Sequence, residues 1–315
     1  MVSGPGRRTQ SGTLVRMQAP QELIDGRPRC APSVLGSVPH VSDPSSPSRS
    51  NSEAPNPQLP VVQRVRLRYA KRGRLRFTSH RDVGRALERA VRRADIPVAF
   101  SHGFNPHPRI SYAGASPTGA ASEAEYMEIG LTEQLDPELL RQQLDAALPP
   151  GLDVVGAMTA VGGSLADRLE ASEWEITLLD VDTPELVAAV EAFIAAEQVQ
   201  VSRMTKKGLR AFDCREAVSS ITASGADGTE PGQRCAILHV VIRHGTPSVR
   251  PDDVLAGLDQ VVGFRPPVPP LLNRRAQGPL DPQAGTVGDP FDPDRDTSAA
   301  TPAADVDRGG QAIPG

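Results

Sequence analysis

A chain of 315 residues with a formal net charge of −4 holds one large domain or two ordinary ones. Its 38% hydrophobic content suits a globular core, and the 3% aromatic content leaves that core to Val, Leu, Ile and Ala. The cysteines Cys30, Cys214 and Cys235 form no CxxC, and no apolar run approaches a membrane span, which excludes a disulfide framework, a self-sufficient metal-cluster site and a transmembrane helix, and implies a reducing cytoplasm.

Residues 1–60 contain ten prolines, ten serines and no aromatic residue, too little apolar surface to offset chain entropy, and are expected to be disordered. The core is expected from 61 to 275. Val65-Arg-Leu-Arg-Tyr69 alternates as a half-buried strand does, and Leu75-Arg-Phe77 resumes the alternation after a turn at Gly73. Ser79 with Asp82 three residues on predicts a helix start. Val83, Leu87, Ala90, Val91 and Ala94 then form one apolar face, with Arg85, Arg89, Arg92 and Arg93 opposite, until Asp95-Ile-Pro97 ends the helix. A shaped loop follows through Ser101-His-Gly-Phe-Asn-Pro-His-Pro-Arg109. Glu125 to Leu131 reads as a strand, Asp136-Pro137 opens a helix through Leu148 on a face of Leu139, Leu140, Leu144 and Leu148, and Val154 to Val161 is a strand.

The order β-α-β-β-α-β is that of a ferredoxin-like unit. It recurs as a strand at Trp174–Leu179, a helix from Thr183-Pro184 with Leu186, Val190, Phe193 and Ile194 inward, a strand at 199–204, a turn at Lys206-Lys-Gly208, an apolar strand at Cys235–Arg243 and a helix from Pro251 through Leu258. The expected fold is therefore α+β, two tandem ferredoxin-like units over 61–165 and 166–275. The stretch 276–315, rich in Pro, Gly, Asp and Ala, reads as a second disordered tail.

Charge is concentrated. Between Arg64 and Arg109 thirteen cations stand against Asp82, Glu88 and Asp95, a local excess that attracts polyanions. Arginine suits phosphate through bidentate hydrogen bonds, and Tyr69, Phe77, Phe100 and Phe104 are the nearby platforms for base stacking. The expected nucleic-acid-binding residues are Arg74, Arg76, Arg81, Arg85, Arg89, Arg92, Arg93 and Arg109, extended by Lys206 and Lys207. The loop residues Ser101, Gly103, Phe104, Asn105 and Pro106 shape the turn that presents His102, His107 and Arg109. With His80, the two loop histidines are candidate general acids and bases for a phosphodiester; the bland alternative is that they orient the loop or bind phosphate. No diagnostic zinc spacing is present, so no metal site is expected. Pro117 to Tyr126 reads as a turn into a strand, with Glu125 and Glu128 pairing with arginines; Asp213 and Arg215 read as a structural bridge around Cys214, a small core residue.

These segments together resemble the radical-SAM-associated proteins of actinobacteria and related bacteria. The residues that carry the likeness are Phe77-Thr-Ser-His80-Arg-Asp82, Arg89-Ala-Val-Arg-Arg93 through Pro97, Ser101-His-Gly-Phe-Asn-Pro106, Arg109-Ile-Ser111, Ser122-Glu123-Ala-Glu125-Tyr126, and Lys206-Lys-Gly208 with Asp213-Cys-Arg215. The resemblance implies a radical-SAM partner that holds an iron–sulfur cluster, S-adenosylmethionine and a corrinoid. This chain has no CxxxCxxC and binds none of them itself. The implied role is a non-catalytic RNA-binding or substrate-presenting accessory in the cytoplasm. The alternatives are a metal-independent RNA-processing enzyme using His80, His102 or His107, and a protein–protein module whose arginines meet an acidic surface.

Overall fold

The computed structural model describes residues 59–102, 104–205, 208–226, 228 and 233–300, and the expected tail 1–60 lies almost wholly outside them. Strand β1 (Gln63–Lys71) forms where the sequence alternates. A 3₁₀ turn follows at Gly73–Phe77 in place of the resumed strand, because Gly73 takes a positive φ of 53° that reverses the chain. The chain continues through α1 (His80–Arg93), β2 (Ile110–Ala113), β3 (Ala121–Leu131), α2 (Pro137–Ala147) and β4 (Leu152–Thr159). The second half comprises β5 (Ala171–Leu179), α3 (Thr183–Ala195), the hairpin β6 (Gln200–Thr205) and β7 (Gly208–Asp213), then β8 (Val218–Gly225), β9 (Cys235–Arg243), α4 (Pro251–Val262) and β10 (Leu271–Gly278).

Eight strands form one mostly antiparallel sheet in the order β4-β1-β3-β10-β5-β9-β8, with β2 on β3. The halves expected on either side of 165 thus share a sheet. Strand β10 joins them, parallel to β3 at Asn273↔Ala121 and Arg274↔Ser122 and antiparallel to β5. Helices α1 and α2 cover a core of Val65, Leu67, Leu87, Val91, Ile129, Leu140 and Leu144, and α3 and α4 cover one of Trp174, Ile176, Phe193, Leu238 and Leu258. Two inward assignments are corrected: Leu139 and Ile194 are exposed, each lying next to the residue that occupies the core-facing row, Leu140 and Phe193. Among the described residues no helix is long and apolar enough to cross a membrane.

The expected C-terminal tail is also corrected over 276–300. Strands β11 (Leu280–Asp281) and β12 (Thr286–Val287) pair, and α5 (Asp292–Ala300) follows. Phe291 is buried edge-on against Tyr126, with ring centroids 5.5 Å apart, in a third core with Leu165 and Leu169. Burial of one such side chain contributes about 1.5–3 kcal/mol. Asp294 is fully buried and accepts from Arg66 Nη1 at 2.7 and 2.8 Å, from Arg168 Nη1 at 2.8 Å and from the Val161 N–H at 2.9 Å. Phe291 and Asp294 anchor this Pro- and Asp-rich stretch against partners far away in the chain, and Pro290 and Leu280 are tied to Arg168 and Glu170 as well.

Candidate nucleic-acid interface

Helix α1 begins as its sequence requires. Ser79 caps it, its Oγ accepting from the Asp82 N–H at 3.3 Å. Val83, Leu87, Ala90 and Val91 are buried, so the polar positions are forced outward. Arg81, Arg85, Arg89 and Arg92 follow at intervals of four, four and three, and all are exposed. Arg85 meets Asp82 at 3.6 Å; among the described residues Arg81, Arg89 and Arg92 form no ion pair, nor do Arg74 and Arg109. An exposed pair of this kind is worth at most about 1 kcal/mol, so the face stays positive. Arg93 is exposed as well but donates to the Ala147 carbonyl at 2.9 Å, capping the end of α2. The fourteen residues of α1 span about 21 Å.

Aromatic rings flank the helix in sequence. Phe77, just before it, is 61% exposed and carries the Arg76 guanidinium 4.8 Å from its ring centroid. Phe104, in the loop after it, is 99% exposed. Above that loop, Phe100 bridges Pro108, the Ser101 N–H donates to the His107 carbonyl at 2.8 Å, and the His107 N–H donates to Ser101 Oγ at 3.0 Å. These bonds close the loop at its neck and leave Asn105 and Pro106 exposed beside Phe104. Gly103, Lys206 and Lys207 lie outside the described residues.

The strand arginines do not belong to this face. Arg64 and Arg66 pair with Glu128 at 3.0 and 3.2 Å, Arg66 also with Asp294, and Arg72 with Glu123 and Asp153. Arg68 donates to the Glu123 carbonyl, and Lys71 is buried. The uniform basic surface read from composition is therefore two populations, one neutralised on the sheet and one exposed on the helix. Sheet alternation sends Arg66 toward the back face, where α5 supplies its carboxylate.

Among the described residues no hydrogen bond or ring contact joins the three histidines: His80 packs edge-on against Tyr112, with centroids 5.1 Å apart and planes at 88°, while His102 and His107 sit on the loop. Among the described residues no group of three His, Cys, Asp or Glu side chains is placed to hold a metal ion. Asp213 and Arg215 form no side-chain bridge: Asp213 Oδ1 accepts from the backbone N–H of Val199 and of Arg215, both at 2.9 Å.

Sequence reasoning missed a second constellation, at the seam between β3 and β10. Arg274 is buried and donates to Glu125, to Gln277 Oε1 at 2.9 Å and to Ser122 Oγ at 3.2 Å, with its guanidinium 5.6 Å from the Trp174 ring centroid. Burial alone would raise the Glu125 pKa, but Arg274 and hydrogen bonds from Ser122 and Ser116 hold it below the usual carboxylate range. Lys71, also buried, reaches the Pro117 carbonyl at 3.3 Å, and burial pulls its pKa down. His244 is fixed by two bonds of 2.7 Å, its Nδ1 to the Leu169 carbonyl and its Nε2 to Ser172 Oγ. A carbonyl only accepts, so Nδ1 holds the proton and the Ser172 hydroxyl donates to Nε2 in the neutral ring. The visible signal was the Ser122-Glu123-Ala-Glu125 segment; its partner Arg274 stands 149 residues from Glu125.

Comparison with known proteins gives one informative match. The model of a family described as "Uncharacterized protein conserved in bacteria (DUF2344)" matches residues 64–251, more than half of the chain. No curated protein matches. Among solved structures, a Cbf5–Nop10–Gar1 complex aligns at 10% identity and a TM-score of 0.35, over 68% of this chain and 48% of that one, so the chain spans about half of its length. An unknown protein from Galdieria sulphuraria aligns at 14% identity and 0.20 (67% and 98% covered), and DyPB from Rhodococcus jostii RHA1 at 11% and 0.19 (72% and 95%). Likenesses this distant transfer nothing to the present chain.

Proposed function

The chain belongs to this bacterial DUF2344 family, and from that premise we propose that it is a non-catalytic, RNA-binding or substrate-presenting partner of a radical-SAM enzyme. One observation carries the RNA part: Arg81, Arg85, Arg89 and Arg92 share an exposed face of α1 on which, among the described residues, Asp82 is the one carboxylate in an ion pair. Guanidinium groups along about 16 Å of helix suit the repeating phosphates of one strand, and exposed Phe77 and Phe104 are rings on which unpaired bases stack. Backbone contact combined with stacking favours single-stranded RNA. The radical-SAM part rests on the resemblance of the motifs from Phe77 to Arg215; in this reading the partner supplies the iron–sulfur cluster, S-adenosylmethionine and corrinoid.

The same reading takes the fold as two ferredoxin-like units. Its support is the repeated strand order, β4-β1-β3-β2 and β10-β5-β9-β8, with β6–β7 as an insertion in the second. Such a pair would present α1 and α2 on one half and α3 and α4 on the other as surfaces for RNA and partner.

Fluorescence anisotropy with a labelled single-stranded RNA tests the proposal. If the four arginines neutralise about four phosphates, affinity falls about fifty-fold between 50 and 200 mM salt. Absence of binding at 50 mM salt sinks the RNA reading. Co-purification of a radical-SAM protein through α1, abolished by charge reversal there while RNA binding never appears, would favour the protein–protein module.

A further inference from the structure

The seam constellation stands outside the surface assigned to RNA. A cleft of about 350 Å³ opens onto it, lined by Gly114, Trp174, His244, Arg250, Arg274 and Gln277 among others. That volume lies in the range of small-molecule sites. Its electrostatics are one-sided. Lys71 and Arg274 are both buried, and Glu125 is the buried carboxylate beside them. Two cations against one anion leave a net positive charge out of water, an expensive arrangement unless something compensates it. Among the described residues no Asp or Glu lines the cleft. At the mouth, Arg250 is exposed and forms no ion pair among the described residues, while the nearby Asp253 is engaged by Arg203 and by the Arg250 N–H. The first turn of the twelve-residue helix α4 borders the same opening through Pro251 and carries Asp252 and Asp253, so the positive charge at the mouth is that of Arg250 and not of the helix end.

The cleft is also built rather than incidental. Gly114 has a φ of +59°, and a Cβ there would collide with the Gln277 amide that Arg274 holds. Ser172 and His244 are locked to each other and to the Leu169 carbonyl, so that wall of the cleft is fixed in place. The donors at hand are the Arg250 and Arg274 guanidinium groups, which recognise an oxyanion and not a cation.

We propose that this seam cleft binds a small molecule bearing a phosphate or carboxylate, with Arg250 at the mouth and Arg274 beneath as the charged floor. The anion supplies the charge that the Lys71–Glu125–Arg274 cluster lacks. A ligand there touches β5, β9, β10 and the loop after β2, and therefore ties the two halves of the sheet together.

Isothermal titration calorimetry on the full chain tests this with inorganic phosphate, uridine monophosphate, succinate and uridine. The expected result is binding of at least one oxyanion and none of uridine; the phosphate and succinate arms decide which oxyanion is preferred. Arg250→Gln should weaken the oxyanion about tenfold, the loss of one charge-assisted contact, and Ser248→Glu, which sets a carboxylate on the lining, should weaken it further. Both positions are exposed, and unchanged melting temperatures without ligand show that each variant folds; should Ser248→Glu not fold, Arg250→Gln decides. The double variant Arg85→Glu/Arg89→Glu on α1 should bind as the parent does, which separates this site from the RNA face. The proposal is overturned if no oxyanion binds, if uridine binds as tightly as its monophosphate, or if Arg250→Gln leaves the affinity unchanged.

Discussion

Arg66 and Arg89 are the same residue type in the same basic stretch, yet they occupy opposite physical regimes. Arg66 is 1% exposed and shares Asp294 with Arg168, whereas Arg89 stands in water with no ion pair among the described residues. A buried guanidinium is useful only with its partner; an exposed one keeps its charge available for a ligand. The contrast separates what holds this fold from what the surface can bind.

The strongest way to break the contrast is at Asp294. Asp294→Ala strands two arginines near a buried position and should cost about 3–5 kcal/mol, read from urea denaturation. A loss below 1 kcal/mol would mean that Arg66 belongs with the solvated population. On the other side, reversing Arg81, Arg85, Arg89 and Arg92 to Glu should lower RNA affinity by at least about a hundredfold while moving the melting temperature by only a few degrees. A large drop in melting temperature with unchanged RNA binding would invert the two roles. Phe104→Ala should remove about 1–3 kcal/mol of RNA binding, the worth of one stacked base, with no effect on folding.

Two smaller tests use protonation. Burial would raise the Asp294 pKa, but hydrogen bonds from Arg168, Val161 and Arg66 outweigh it and hold the carboxyl below its ordinary value. Its contribution is therefore fully present above the ordinary carboxylate pKa and is lost as pH falls through that range, because the unfolded chain takes up the proton first. In Asp294→Asn this part of the pH–stability profile should flatten. Burial, with Asp213 and Asp253 behind it, pushes the Cys214 thiol up to about 12. Iodoacetamide at pH 8 should leave Cys214 unmodified until urea unfolds the chain; rapid native-state labelling, seen by mass spectrometry, would contradict its place in the core.

Local pattern made much of the framework legible. The spacing of Val83, Leu87, Ala90 and Val91 fixed α1 and, with it, the outward direction of its arginines. The apolar run Cys235–Arg243 is β9 to the residue. The pairing of Glu128 with arginines was legible, as Arg64 and Arg66 show, but the counted excess still overstated the free charge, because it ignores a carboxylate that comes from far along the chain. Glu128 faces Arg66 across β1 and β3, and Asp294 is 228 residues from Arg66. The region 276–300 was misread for a related reason. Its composition is that of a tail, and its order depends on Phe291 and Asp294 finding sites on a sheet already assembled. That Glu125 pairs with an arginine was legible, but not that the arginine is Arg274, because the two meet only where β10 lies beside β3.

That last separation shapes how the chain comes to be native. Synthesis at roughly 5–20 residues per second places about 10–45 s between the emergence of Arg66 and that of Asp294. Throughout that interval the back of the first sheet lacks its lid, and the Arg66 guanidinium has Glu128 but not Asp294. The N-terminal half therefore waits on the ribosome for its own closing piece, and a transcript cut short anywhere before Phe291 yields a product with that apolar surface uncovered.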